Sequence, residues 1–377
     1  MQIGFDAKRA FFNNTGLGNY SRDTIRILAS FFKKNKYFLY TPKNTKNSRL
    51  QFIYKINNIL IKTPQKNFKN FFKKYWRSKR ITNDLQKDNL NIYHGLSNEL
   101  PIGIEKTNIK TVVTIHDLIF IRFPNLYNWV DRKIYYFKFL SACKRADIII
   151  AISQQTKKDI VKYLNIDEKK IKVVYQGCND VFKKPISKKT QKETLKKYSL
   201  PNNFLLYVGK IEERKNLLTI LKVLKKLKTQ KLVVIGDGNK YKKICLKYIN
   251  NNNLHNNVII LSNINSNEIA SIYKNAEILI YPSIFEGFGI PIIEALYSKV
   301  PVITTKKGCF KEAGGPKTKY INPTSINELK NAILEIQQSS KIKEKMKNIG
   351  FKYVQKFNDE EIAKNLIKIY SELYEKN

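Results

Sequence analysis

Histidine, cysteine, methionine and tryptophan are scarce in this 377-residue chain, at 3, 4, 2 and 2 copies. The cysteines, Cys143, Cys178, Cys245 and Cys309, are widely scattered and form no CxxC. They read as reduced structural thiols, which excludes a disulfide-built domain. His94, His116 and His255 show no zinc-type pairing. No apolar run approaches the length of a bilayer span. The start, MQIGFDAKRA, lacks the charged-then-apolar order of a signal peptide and reads as a buried first strand, so a cytoplasmic location is expected. The largest deficit is in acidic residues: 30 Asp+Glu face 70 Lys+Arg, a net charge of +40. Compositional drift accounts for such an excess, because Lys, Asn and Ile are all abundant. An anionic partner (nucleic acid, phospholipid or a phosphorylated substrate) accounts for it equally well. The excess is also local. Residues 51–90 hold ten Lys/Arg and two Asp/Glu, whereas 357–377 hold three Lys and five Asp/Glu.

Short β-type runs alternate with helical patterns along most of the chain. QIGFD (2–6), KYFLY (36–40), NIYHG (91–95), TVVTIH (111–116), DIIIAI (147–152) and IKVVY (171–175) form a first series. FLLYVG (204–209), KLVVIG (231–236), NVIIL (257–261), EILIYP (277–282) and VPVIT (300–304) form a second. Continuous β-branched runs are typical of parallel strands covered on both faces. Helices between them imply repeated βαβ units, hence an α/β fold of two doubly wound, Rossmann-like domains facing a cleft. Polar, lysine-rich residues 183–202 read as a linker with one short helix. The expected domains are 1–182 and 200–356, with a helix over 357–377 packing back on the first. That helix has Asn358 as cap, Glu361 at its third position and an apolar stripe of Ile362, Leu366, Ile369, Tyr370 and Leu373.

In SIFEGFGIPIIEAL (283–296), Glu286 and Glu294 flank an apolar run broken by Gly287, Gly289 and Pro291. Following a strand, the glycines permit positive φ and close approach by a ligand, while Pro291 suits the first turn of a helix. The amides around Phe288 and Ile290 then form an anion site at the helix N-terminus. Carboxylates beside it make sense as acceptors for sugar hydroxyls flanking a phosphate. On spacing alone, Glu286 could equally be a helix cap and Glu294 a solvated side chain. YVGKIEERKNL (207–217) places Lys210 and Lys215 at the carboxyl end of a strand, where cations can neutralise a diphosphate. NNTGLGNYSR (13–22), with Gly16 and Gly18, opens the first helix but lacks the full GxGxxG spacing. TIHDL (114–118) puts His116 and Asp117 at a strand end.

The chain resembles the retaining, two-Rossmann (GT-B) glycosyltransferases of family 4 over nearly its full length. YPSIFEGFGIPIIEALYSKVPVITT is similar to that family's E-x7-E signature, with Glu286 and Glu294 as its glutamates. YVGKIEERKNL, VVIGDG, SIYKNAEILIYPS, CFKEAGG, TGLGNYSR, TIHDLIFIRFP, RADIIIAISQQTKKDI and IKVVYQGCNDVF also resemble family segments. The resemblance implies that Glu294 holds the ribose hydroxyls of a nucleotide. It implies that Glu286, with the amides of Gly287, Phe288, Gly289 and Ile290, holds the donor sugar. Lys215 would bind the pyrophosphate, Lys210 stands where many members have Arg, and His116 would contact the transferred sugar. Gly16 and Gly18 would let the first loop approach phosphate and acceptor, and Glu312 matches a family glutamate. The implied reaction is retaining hexosyl transfer from a nucleotide sugar to a glycan or lipid-linked glycan. It needs no cofactor or metal, and no DxD motif occurs. TIHDLIFIRFP is most similar to bacterial surface-polysaccharide mannosyltransferases, which favours GDP-mannose.

The basic aromatic stretch KNFKNFFKKYWRSKR (66–80) places Phe68, Phe71, Phe72, Tyr75 and Trp76 on one helical face with cations around it. Such a helix can lie on an anionic membrane surface. The same spacing also suits aromatics packed on a sheet with solvated lysines. Two other functions share features with this chain: a sugar-nucleotide 2-epimerase of the same architecture, and a basic nucleic-acid-binding protein. The second lacks any recognisable binding module, so no nucleic-acid partner is expected.

Overall fold

The computed structural model describes residues 1–45, 48–64 and 75–375. They form two units, Met1–Gly177 together with Asn358–Asn377, and Cys178–Phe357.

The first unit holds a seven-stranded, all-parallel sheet. Its strands are β1 (Gln2–Asp6), β2 (Lys36–Tyr40), β3 (Ile59–Lys62), β4 (Ile92–Gly95), β5 (Lys110–Ile115), β6 (Ile148–Ala151) and β7 (Ile171–Val173). Their spatial order is β3-β2-β1-β4-β5-β6-β7. The second unit repeats the plan with β8 (Leu205–Val208), β9 (Leu232–Ile235), β10 (Val258–Leu261), β11 (Ile278–Tyr281), β12 (Val302–Thr305) and β13 (Lys319–Ile321). Its order is β10-β9-β8-β11-β12-β13, again all parallel. Val112 and Val113, Ile149 and Ile150, Leu205 and Leu206, and Leu279 and Ile280 are all fully buried neighbours along their strands, because helices cover both faces of each sheet. In each sheet the strand order reverses beside the first strand, between β1 and β4 and between β8 and β11. Open α/β sheets bind ligands outside the carboxyl ends of the strands at such a point.

The unit boundary falls at Gly177/Cys178, so residues 183–202 are not a free linker. Phe182 is buried edge-on against Tyr273, with ring centroids 5.4 Å apart. The helix Lys188–Lys197 ends at Tyr198, whose hydroxyl donates to Glu268 at 2.9 Å. The segment therefore belongs to the second unit.

The C-terminal helix Asp359–Tyr374 belongs to the first unit. The Asn358 side chain accepts from the Glu361 N–H, and Arg26 pairs with Asp359 at 2.8 Å. Its Tyr370 hydroxyl lies 2.6 Å from His94 Nδ1. His94 Nε2 in turn meets Thr114 Oγ1 at 2.8 Å, which Tyr20 Oη also reaches at 3.0 Å. Four elements thus share one buried polar chain.

Of the stretch 66–80, residues 66–74 lie outside the described residues. In the rest, Trp76 is 3% exposed and donates to Asp84 at 2.6 Å. Arg77 is held by Asp6 at 2.6 Å and by Glu99. Trp76 is therefore a core residue and not part of an outward aromatic face. The indole finds both a hydrophobic pocket and a hydrogen-bond partner there.

Candidate active site

Two loops meet at the β8/β11 reversal. The loop after β8 carries Lys210, Glu212, Arg214 and Lys215; the loop after β11 carries Phe285 to Gly289. They are joined by the Ile284 N–H donating to the Arg214 carbonyl at 2.8 Å. Glu286 sits between two cations, with Oε1 2.7 Å from Lys215 Nζ and Oε2 2.9 Å from Arg214 Nη1. Its side chain is 12% exposed. Burial by itself would raise the carboxyl pKa, but Lys215 and Arg214 outweigh it and hold it at about 2. Glu286 is thus ionised at any working pH. Oε1 is buried against the Lys215 ammonium, and as a carboxylate oxygen it keeps capacity for a further hydrogen bond. Lys215 also donates to the Tyr281 hydroxyl at 2.8 Å.

Arg214 does three jobs at once. Besides Glu286, it donates to Glu212 Oε1 at 2.6 Å and to the Phe285 carbonyl. Its planar fork suits several acceptors in fixed directions. Nothing in the spacing singles it out, although it lies between the lysines that do stand out. Cys309 was likewise missed: its thiol donates to the Glu286 and Phe288 carbonyls at 3.1 and 3.0 Å and braces the loop from beneath.

Gly289 has φ +116° and starts the helix Ile290–Tyr297, with Pro291 in its first turn. Gly287 is not among the residues with positive φ, so only one of the two glycines needs the left-handed region. Among the described residues, the N–H groups of Gly287 and Gly289 have no protein acceptor. Phe288 is buried edge-on against Phe357 at 5.3 Å. Glu294 lies one turn further along and accepts from Tyr273 Oη at 2.9 Å. Burial raises its pKa to about 7, against the opposing effect of the Tyr273 hydrogen bond. The two glutamates therefore differ in charge state near neutrality. Lys210 is not gathered into this cluster: its side chain is 67% exposed and pairs with Glu212 at 3.3 Å. Glu312 lies in the short helix Phe310–Gly314, and its carbonyl accepts from Tyr353 Oη at 2.7 Å.

In the first unit, His116 directly follows β5 and is buried. Its Nε2 lies 2.9 Å from the Leu96 carbonyl, which can only accept, so Nε2 carries the proton and Nδ1 keeps its lone pair. Burial lowers its pKa to about 4, against the Leu96 bond, so the ring is neutral. The Tyr20 ring stands perpendicular to it at 4.6 Å, and Asn98 accepts from its backbone N–H at 3.0 Å. Asp117 accepts from the Ile119 N–H at 3.1 Å. Gly16 and Gly18 lie in the first turn of the helix Gly16–Phe31. A Cβ on Gly18 would fall 1.8 Å from the Asn13 carbonyl oxygen, whereas one on Gly16 would meet nothing. Gly18 thus serves backbone packing, and Gly16 faces open space.

Two family models match the chain: Glycosyltransferase Family 4 over residues 15–181 and Glycosyl transferases group 1 over residues 187–353. The O-antigen chain mannosyltransferase RfbU of Salmonella typhimurium is 29% identical over 227 residues, 60% of each chain. The chain thus spans less than two thirds of that relative's length. The O-antigen chain mannosyltransferase B of Escherichia coli is 25% identical over 286 residues, 74% of each. Among solved structures, Anabaena Alr3699/HepE in complex with UDP and glucose has a TM-score of 0.77 at 15% identity, covering 98% of this chain and 99% of that one. These likenesses favour neither the epimerase nor the nucleic-acid reading. With paired Rossmann-like sheets, an E-x7-E loop facing a lysine loop, and both family models in sequence order, the chain belongs to the GT-B glycosyltransferases of family 4.

Proposed function

We propose that the chain transfers a hexose, mannose before others, from a nucleotide sugar to a hydroxyl of a glycan or lipid-linked glycan in surface-polysaccharide synthesis. The observation that carries this is Glu286. It is an ionised carboxylate held by Arg214 and Lys215 with one buried oxygen still open to a donor. A sugar hydroxyl supplies that donor. The free N–H groups of Gly287 and Gly289 sit in the same loop. Glu294, close to its midpoint of ionisation at neutral pH, accepts from the ribose diol. Lys215 meets the diphosphate, and charge that builds on the leaving group is stabilised there without a metal ion. His116 presents Nδ1 as an acceptor to the transferred sugar. Lys210, exposed to solvent, is a secondary contact. The transfer retains configuration: the C1–phosphate bond breaks, the acceptor oxygen bonds C1 on the same face, and the acceptor proton passes to the departing phosphate. GDP-mannose is the favoured donor, and likeness to two O-antigen mannosyltransferases supports its mannosyl part. A lipid-linked acceptor places the enzyme on the cytoplasmic side of the membrane surface.

A thermal-shift screen against nucleoside diphosphates and their sugars tests the donor. GDP and GDP-mannose should give the largest stabilisation, by preferential binding to the folded chain. A larger shift with UDP-sugars would overturn the mannosyl assignment. No shift with any nucleotide sugar would overturn the transferase reading itself.

A further inference from the structure

Tyr273 is fully buried in the helix Ser266–Asn275, yet its hydroxyl reaches the candidate site. It donates to Glu294 Oε2 at 2.9 Å, and the Pro291 carbonyl lies 3.4 Å from the same hydroxyl. Phe182, itself buried, meets the ring edge-on from the other side. A ring packed this closely has little freedom to turn, so the hydroxyl is aimed. Among the described residues, no protein donor reaches Glu294 Oε1, so Tyr273 occupies one carboxylate oxygen and leaves the other to a ligand. A tyrosine hydroxyl has one proton. It goes to the nearer acceptor, Oε2, while Glu294 is ionised. When Glu294 is protonated, the carboxyl O–H can donate to Tyr273 Oη and the tyrosine proton can turn to the Pro291 carbonyl. Both charge states fit with the heavy atoms in place, and the bond to the ionised form is the stronger one.

The other titratable groups on the elements packed around the helix Ile290–Tyr297 are engaged elsewhere. Lys274 reaches the Tyr297 carbonyl at 3.4 Å, and Lys183 pairs with Asp180 at 3.6 Å. Lys215 takes both Glu286 and the Tyr281 hydroxyl. Glu286 and Glu312 face the Cys309 thiol, and Lys311 is exposed. In the helix Ser340–Val354, Lys343 pairs with Glu277 and Lys347 with Glu344. Strand β12 carries no titratable side chain. Tyr281 and Cys178 face Tyr273 itself. Burial and the Tyr273 hydrogen bond remain as the influences on the Glu294 carboxyl. We propose that Tyr273 is a positioning residue for the nucleotide: it holds Oε2 of Glu294 so that the carboxylate presents Oε1 to the ribose diol. The inference rests on the reading of Glu294 as the ribose acceptor. A hydrogen bond donated to a carboxylate favours its ionised form, so loss of the Tyr273 hydroxyl moves the ionisation of Glu294 to higher pH. Tyr273 thereby sets, together with burial, the pH range over which the site accepts a nucleotide.

The test is calorimetric titration of the full chain and of Tyr273→Phe with GDP and with UDP, which carry the same ribose, between pH 6 and pH 8.5. The quantity read is the ratio of the two chains' affinities, in which titration of the nucleotide's own phosphate cancels. Tyr273→Phe should bind about tenfold more weakly at pH 6 and should approach the affinity of the unaltered chain by pH 8.5. A purely structural role would give one ratio at every pH. Phe182→Leu, which keeps the hydroxyl and frees the ring, should move the ratio the same way by a smaller factor. In a Glu294→Gln background, Tyr273→Phe should change neither the affinity nor its pH slope, because no ionisation is left to tune. A ratio that does not vary with pH, while Glu294→Gln still weakens binding, would overturn this inference and leave the ribose reading standing. Equal affinity of Glu294→Gln and the unaltered chain, or no binding of either nucleotide, would remove the ribose reading and this inference with it.

Discussion

Glu286 and Glu294 stand eight positions apart in sequence and opposite in acid–base behaviour. Both are largely removed from water, which favours the neutral acid. Only Glu286 has cations against it, so its carboxyl falls to about 2 while that of Glu294 rises to about 7. If the ribose diol donates to Glu294, donor binding selects its ionised form. Affinity for the nucleotide should therefore rise between pH 6 and pH 8, and calorimetry on Glu294→Gln should show that slope lost along with about tenfold in affinity. Lys215→Ala should reduce turnover by roughly 10²-fold with a smaller change in donor affinity, since leaving-group charge develops only in the transition state. Equal losses in kcat and affinity would show that Lys215 acts on the ground state. Arg214 has a different part: it anchors Glu286 and the Phe285 carbonyl together. Arg214→Lys cannot keep the three contacts, so steady-state kinetics should show a raised donor KM while kcat falls less.

At the level of elements, the buried parallel strands announce themselves as apolar, β-branched runs, and these are the ones the sequence patterns locate. The edge strands β3 and β13 are absent from those patterns. They are four and three residues long, only partly buried, and set among polar residues that hide so short a run. The π-helical turn Trp76–Arg80 is also invisible to a helical wheel, and with it the inward direction of Trp76. Gly18→Ala would drive a methyl into the Asn13 carbonyl. Chemical denaturation should show a loss of about 1–3 kcal/mol. Tyr370→Phe would leave the buried His94 Nδ1 without a partner and should cost about 1–3 kcal/mol by the same measurement. His94 is held neutral by burial, its pKa lowered to about 3, so this loss should be the same at pH 6 and pH 8.

At the scale of the whole chain, the first unit is discontinuous, since its last helix follows the entire second unit in sequence. Ile362, Leu366, Ile369, Tyr370 and Leu373 are all buried there. Each contributes about 1.5–3 kcal/mol of burial, and together they rival the stability of a domain. Truncation after Phe357 should thus unfold the first unit at a lower temperature and leave the unfolding transition of the second unit in place, giving two steps by calorimetry. A single unshifted transition would show that the helix is dispensable.

Residue types and their spacing fixed much by themselves. Periodicity set the α/β class and most strands, because burial on both faces selects an apolar run whatever lies beside it. The glutamate pair, its glycines and the lysine loop were legible as a candidate site, because each lies at the end of a recognisable strand. Tertiary structure decided which of these side chains meet. The β8/β11 reversal puts Arg214 and Lys215 on Glu286 and leaves Lys210 in solvent. Packing moved Trp76 inward and left Trp129 and Phe137 outside. Both outcomes depend on tertiary partners, Asp84 for Trp76 and the distant β11 loop for Arg214 and Lys215. A one-dimensional pattern carries the preference of each residue for burial or charge, and only the folded neighbours determine whether that preference is met.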